Sequence, residues 1–142
     1  MRNSTISLVV TLLTFGCTSP TVPSVDQGSP FTVGIEKSVY VPSLKLSLTF
    51  ADVINDGRCP LNVYCLSAGA ARIELSLLPM GSQSIRIFPY ILGGVTKENN
   101  VGQRSIDTLG LRITLMQLDP YPRTDTSFSR SDYVATIKVT KH

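Results

Sequence analysis

Apolar and polar residues alternate through most of this chain after residue 30. Phe31, Val33 and Ile35 alternate with Thr32, Gly34 and Glu36, and Leu46, Leu48 and Phe50 with Lys45, Ser47 and Thr49. Ala71, Ile73, Leu75 and Leu77 stand against Arg72, Glu74 and Ser76, and Leu111, Ile113 and Leu115 against Arg112, Thr114 and Met116. Tyr133, Ala135, Ile137 and Val139 form the last set. A period of two is the signature of a half-buried strand. Shorter pieces are expected at Val39–Val41, continuing the first strand past a bend, and at Arg104–Asp107. Ser84–Leu92 also reads as a strand, but Pro89 interrupts it and places it at an edge. No segment carries a helical apolar stripe. About six or seven strands separated by turn residues predict an all-β chain. The expected architecture is an antiparallel two-layer β-sandwich of immunoglobulin-like kind, with an irregular β-barrel as the alternative.

The first thirty residues follow a different pattern. Ile6–Phe15 is a mostly apolar run, preceded by Arg2 and followed at once by Gly16 and Cys17. The run is too short to span a bilayer and suits the core of a signal peptide. A small residue directly before a cysteine at this point looks like a bacterial lipoprotein cleavage site. The usual pattern is imperfect here, with Thr14 and Phe15 in place of the customary leucine and small residue. The expectation is a signal peptide over residues 1–16 and lipidation of Cys17 by diacylglycerol and palmitate-type chains, with ordinary cleavage nearby as the alternative. Residues 17–30, rich in Pro, Ser and Thr, read as a flexible tether, and residues 31–142 as the β domain.

Between two of the alternating runs lies the densest set of turn residues, Asn55-Asp56-Gly57-Arg58-Cys59-Pro60, closed by Cys65. In an oxidising compartment a disulfide is the default state of two cysteines so placed. Closing so short a ring contributes roughly 2–3 kcal/mol on the chain-entropy estimate. A redox pair and a metal site are the alternatives. The spacing is not that of a C-x-x-C redox motif, and a closed metal site needs four donors, which this stretch does not offer. Asp56 and Arg58 are read as an exposed pair across the turn, worth little. A third cysteine left over after Cys59 pairs with Cys65 fits a lipidated Cys17.

Composition narrows the function classes. Charged residues are 16% of the chain, hydrophobic residues 42%, and the formal net charge is +3. The basic residues Lys37, Lys45, Arg58, Arg72 and Arg86 are scattered singly, so no nucleic-acid partner is expected. Gly93-Gly94 is not followed by the G-K-[ST] of a phosphate-binding loop. The only histidine is the last residue, His142, which speaks against Ser-His-Asp or Cys-His chemistry. Asp52, Asp56, Glu74 and Asp132 are the acids available for paired-carboxylate catalysis, and a solvated surface role is the expectation for them. Met80 and Met116 read as core filler rather than copper ligands. No cofactor and no metal are expected.

Three separated segments carry a resemblance: Phe50-x-x-Val53-x-x-Asp56-x-Arg58-Cys59-Pro60-x-x-Val63-x-Cys65-x-x-Ala68-Gly69, then Leu118-x-Pro120-Tyr121-Pro122, then Asp132-Tyr133-x-Ala135-Thr136. Together they resemble a family of small exported bacterial proteins, many of them lipoproteins. The sequence departs from that family at Ser67, where the family often carries Trp. The resemblance adds no activity; with the apolar run and Gly16-Cys17 the expected location is the cell envelope, lipid-anchored at the outer membrane or the periplasmic face. The expected function is a non-catalytic, membrane-tethered module that binds an envelope protein or polymer. The alternative is a secreted inhibitor that offers the Cys59–Cys65 loop to a protease, since a rigid loop binds with less entropy loss.

Overall fold

The computed structural model describes residues 21–94 and 104–142. The predicted signal segment, Cys17 and the central part of the polar loop after Gly94 lie outside these residues. Among the described residues nine strands form: β1 (Phe31–Gly34), β2 (Ser38–Val41), β3 (Leu46–Asp56), β4 (Ala70–Pro79), β5 (Ile85–Ile87), β6 (Tyr90–Leu92), β7 (Arg104–Thr108), β8 (Leu111–Asp119) and β9 (Val134–Lys141). They make two antiparallel sheets. One is ordered β1-β9-β8-β7, the other β2-β3-β4-β5, with β6 also on β4. The sheets do not close on each other, so the architecture is the sandwich and not the barrel.

The alternating residues face one another between the sheets. Phe31, Val33, Ile113, Leu115, Ala135, Ile137 and Val139 come from one layer, and Leu46, Leu48, Phe50, Ile73, Leu75 and Leu77 from the other. All are buried. This is the expected result when one face of each strand is apolar and the other polar, because burial of that face is what fixes the register.

Two local readings change. Val39–Val41 does not prolong the first strand. The turn at Glu36, whose φ is +60°, carries the chain across to the other sheet, where β2 pairs with β3. The segment Ser84–Leu92 divides at Phe88-Pro89 into β5 and β6, both on the outer side of β4. Pro89 lacks an N–H, but its carbonyl still accepts from Ile73 N at 3.0 Å, so the edge keeps a bond where proline permits one. These two differences account for the strand count exceeding the expected one.

Register shifts interrupt β3–β4 between Phe50 and Asp52 and between Val53 and Asn55. Another lies in β8–β9 between Leu115 and Gln117, and it turns Leu118 inward in place of Gln117. Such bulges add twist and re-aim side chains. All three lie toward the same end of the sandwich, where β3 runs into the cysteine segment and β8 runs into Pro120. At the other edge, Ser24 bridges Tyr40 in parallel, Val25 N donates to Tyr40 O at 2.8 Å and Gly28 N to Val139 O at 2.8 Å. Residues 24–28 are therefore fastened to the domain, although composition alone reads them as part of a free tether. Among the described residues no helix is long and apolar enough to cross a membrane.

Candidate functional site

The three segments singled out in the sequence meet at the bulged end of the sandwich. Arg58 is at their centre, and it is buried, with 4% of its surface exposed. Its Nε donates to Asp56 Oδ1 at 2.8 Å and its Nη2 to Asp56 Oδ2 at 2.6 Å, the bidentate fork that a planar guanidinium makes with a carboxylate. Nη1 donates to Leu118 O at 2.7 Å and Nη2 to Pro120 O at 3.1 Å. The guanidinium carbon lies 4.5 Å from the centre of the Tyr121 ring, a cation–π contact. The reading of Asp56–Arg58 as an exposed pair is thus corrected. Both side chains are nearly dry, at 2% and 7% exposure, because the loop after β8 closes over them.

Asp56 is used on both oxygens. Beyond the Arg58 fork, its Oδ2 accepts from Tyr133 Oη at 3.2 Å. Burial first, and then the Asp56 carboxylate, push the Tyr133 phenol up to about 12. Phe128 packs edge-on against the Tyr133 ring at 5.3 Å. Asp132, next in sequence, caps the short turn Arg130–Asp132 by accepting from Ser129 N at 2.7 Å. One buried guanidinium therefore ties the end of β3 to the loop after β8, and its carboxylate partner ties the same point to the start of β9.

Cys59 and Cys65 are joined by a disulfide with a Cα–Cα distance of 6.0 Å, inside the ordinary range. The ring they close lies against the loop after β8. Leu61 N donates to Pro122 O at 3.0 Å, Asn62 Nδ2 to Thr124 Oγ1 at 2.7 Å, and Thr124 N to Asn62 Oδ1 at 3.0 Å. Cys59 N donates to Ala68 O at 2.8 Å, which closes the neck of the ring. The neck is crowded enough to require glycine. A Cβ on Gly69, whose φ is +66°, would sit 1.8 Å from Gly57 O, and one on Gly93 would sit 1.8 Å from Ala68 O.

A ring this small has no interior for its side chains. Tyr64 is 95% exposed, with Leu61 at 63% and Val63 at 45%, and Leu66, just past the ring, is fully exposed. The result is a rigid, apolar display on a base whose polar groups are already satisfied. In the sequence, Leu61, Val63 and Tyr64 stand between two cysteines too close together to bury them.

The acids considered for catalysis are held by separate partners. Asp52 and Glu74 are cross-strand neighbours on β3 and β4, yet Asp52 bonds Arg130 Nε at 2.9 Å and Glu74 faces Arg86 at 3.6 Å. Asp56 belongs to Arg58, and Asp132 to its cap. His142 stands at the opposite end of the sandwich, 3.1 Å from Asp107 and 3.0 Å from Arg112. A shallow open hollow beside it is lined by Ser43, Leu44, Ser82 and Leu109, and the Ser43 hydroxyl bonds Gln27 Oε1 at 3.3 Å. Met80 is not core filler; it is 67% exposed at the turn after β4. Among the described residues no three His, Cys, Asp or Glu side chains gather as metal ligands would. No protein-family model, no curated protein and no solved structure matches this chain.

Proposed function

We propose that the protein is an exported, lipid-anchored envelope module that acts by binding and not by catalysis. The observation that carries the reading is the Cys59–Cys65 disulfide, because such a bond persists in an oxidising compartment outside the cytosol. It also leaves Cys17 as the single cysteine outside the pair, directly after the apolar run and Gly16, where acylation would use it. The satisfied polar groups around Arg58 support a structural base, and the exposed ring residues support a contact surface presented on it. The partner in this reading is an envelope component reached through that surface, with the acyl chains holding the domain near it.

The test is the full chain with Cys17→Ser, expressed in its own envelope and fractionated. The expected result is that the unaltered protein sediments with membranes and resists salt extraction while the variant appears in the soluble fraction. Equal membrane retention of both would overturn lipid anchoring.

A further inference from the structure

We infer that β7 is a docking edge for a second copy of this chain, so that two molecules join through antiparallel β7 strands. The inference is independent of the anchor at Cys17 and of the disulfide ring. β7 and β8 are joined by the two-residue turn Leu109-Gly110, with φ of +55° and +68°. Such a turn makes the flanking pair Thr108–Leu111 a hydrogen-bonded one, and bonded pairs then recur at every second residue. Arg104, Ile106 and Thr108 therefore direct their backbone groups to β8, and Ser105 and Asp107 direct theirs away from the sheet. Among the described residues no backbone group meets these. The other edges are blunted. On β2, Val25 N donates to Tyr40 O and Tyr40 N to Pro23 O at 2.9 Å. β5 is three residues long, with Pro89 just beyond it. β1 has four residues, follows Pro30, and its Gly34 O accepts from Lys37 N at 3.1 Å. Short strands, prolines and covering segments are how sheets avoid edge pairing. β7 has none of them. Its five residues pair without a register shift, and the Asp107 charge that would otherwise guard the edge is met by Arg112 at 2.9 Å.

The edge is complementary to itself. A two-fold pairing centred on Ile106 sets Ser105 opposite Asp107 of the second copy, and Asp107 opposite its Ser105. Every outward N–H and C=O of these two residues then finds a partner. On the solvent face the Ser105 hydroxyl can donate to the facing Asp107 carboxylate while accepting from Thr114 Oγ1, 2.7 Å away on its own sheet. On the core face Ile106, partly buried, meets Ile106 of the second copy and extends the apolar layer. Other centres fit worse. A centre at Asp107 sets two carboxylates directly opposite, and like charges so placed destabilise a strand pair. A centre at Ser105 carries Asp107 past the start of β7 and loses its pairing. An unrelated extended peptide could meet the backbone groups, but the order hydroxyl, apolar, carboxylate along Ser105-Ile106-Asp107 is answered by the same order reversed, which a second copy supplies. The contact is isologous, so it closes at two molecules and joins both four-stranded sheets into one.

The test is a pair of single-cysteine additions to the full chain, Ile106→Cys and Thr108→Cys, purified in mild detergent and oxidised with copper phenanthroline. In the proposed register the two Ile106 positions face each other with Cα atoms about 4.5 Å apart, within reach of a disulfide. The two Thr108 positions, displaced from the centre in opposite directions, stand about 14 Å apart and cannot be bridged. The expected result is a covalent dimer from Ile106→Cys and none from Thr108→Cys, with the joined peptides mapped by mass so that a link through Cys17 is told apart. Adding Ser105→Pro removes only an outward N–H and should lower the Ile106→Cys cross-linking at least about tenfold at an unchanged circular dichroism spectrum. In the unaltered chain the Ser105 and Asp107 amides should exchange fast in dilute protein and slowly as concentration rises. If Ser105→Pro fails to fold, the contrast between the two cysteine positions still decides. Equal cross-linking at both positions, or none at Ile106→Cys, would overturn the inference. Slow exchange of the two amides at a dilution where no dimer forms would assign the edge to the chain's own residues, and cross-linking of Ile106→Cys to a different protein alone would assign it to another partner. Either result overturns the pairing of two copies.

Discussion

Arg58 cannot be exchanged for lysine without loss, because no ammonium reproduces a planar fork to Asp56 together with bonds to two carbonyls and a stack on Tyr121. Removing one partner of a buried pair leaves an uncompensated charge, which costs about 3–5 kcal/mol. Arg58→Ala should therefore lower the unfolding free energy by about that amount in urea titration, with Arg58→Lys nearly as damaging. A loss below about 1 kcal/mol would mean that the pair is solvated as an exposed one is. Tyr133 gives a second handle. Its phenol is pushed up to about 12 in the fold, while an unfolded tyrosine titrates near 10. A group whose folded value is raised contributes fully below the unfolded value and loses that contribution as pH rises to the folded one. Stability should thus fall between about pH 10 and about pH 12 by a component that Tyr133→Phe removes. Denaturant titrations across that window would show it, and parallel curves for the two proteins would contradict the Tyr133–Asp56 bond.

At the scale of elements, the ring and its neck are separable. Replacing both Cys59 and Cys65 by serine should cost roughly 2–3 kcal/mol, yet leave the strands intact, since Asn62, Thr124 and the Cys59–Ala68 backbone bond still position the segment. Gly69→Ala and Gly93→Ala should each cost at least about 2 kcal/mol, because a Cβ cannot share 1.8 Å with a backbone oxygen. Neutral behaviour of either alanine variant would show that the neck is looser than its geometry. The strands themselves were legible from the sequence: Ala71, Ile73, Leu75 and Leu77 are buried as their alternation requires, and so are Tyr133, Ala135, Ile137 and Val139. What could not be read was the crossing between β1 and β2, since a change of sheet at Glu36 leaves the period of two unbroken on either side. The burial of Asp56 and Arg58 was equally hidden. It depends on Leu118, Pro120 and Tyr121, about sixty residues away, and no local pattern encodes that closure. The three segments lie far apart in the sequence, and what Asp56, Arg58 and Tyr133 do physically appears only when they meet in the fold.

At the scale of the molecule, the two ends of the sandwich are unlike. One end carries the short turn at Pro42–Leu44, Met80 and the His142–Asp107–Arg112 group, whose ion pairs are exposed to solvent. The other carries the buried Asp56–Arg58 pair, the bulges and the disulfide ring with its exposed apolar residues. In the proposed reading, that polarity lets one end meet a partner while the rest stays in water. The most direct measurement is the intact mass of the protein taken from its own membrane fraction, before and after reduction and alkylation. The predicted mass begins at Cys17, carries diacylglycerol and an acyl chain, and gains two alkyl groups only after reduction. An unlipidated mass with Cys59 and Cys65 alkylated before reduction would contradict both the anchor and the oxidised ring, and with them the reading of this protein as an envelope module.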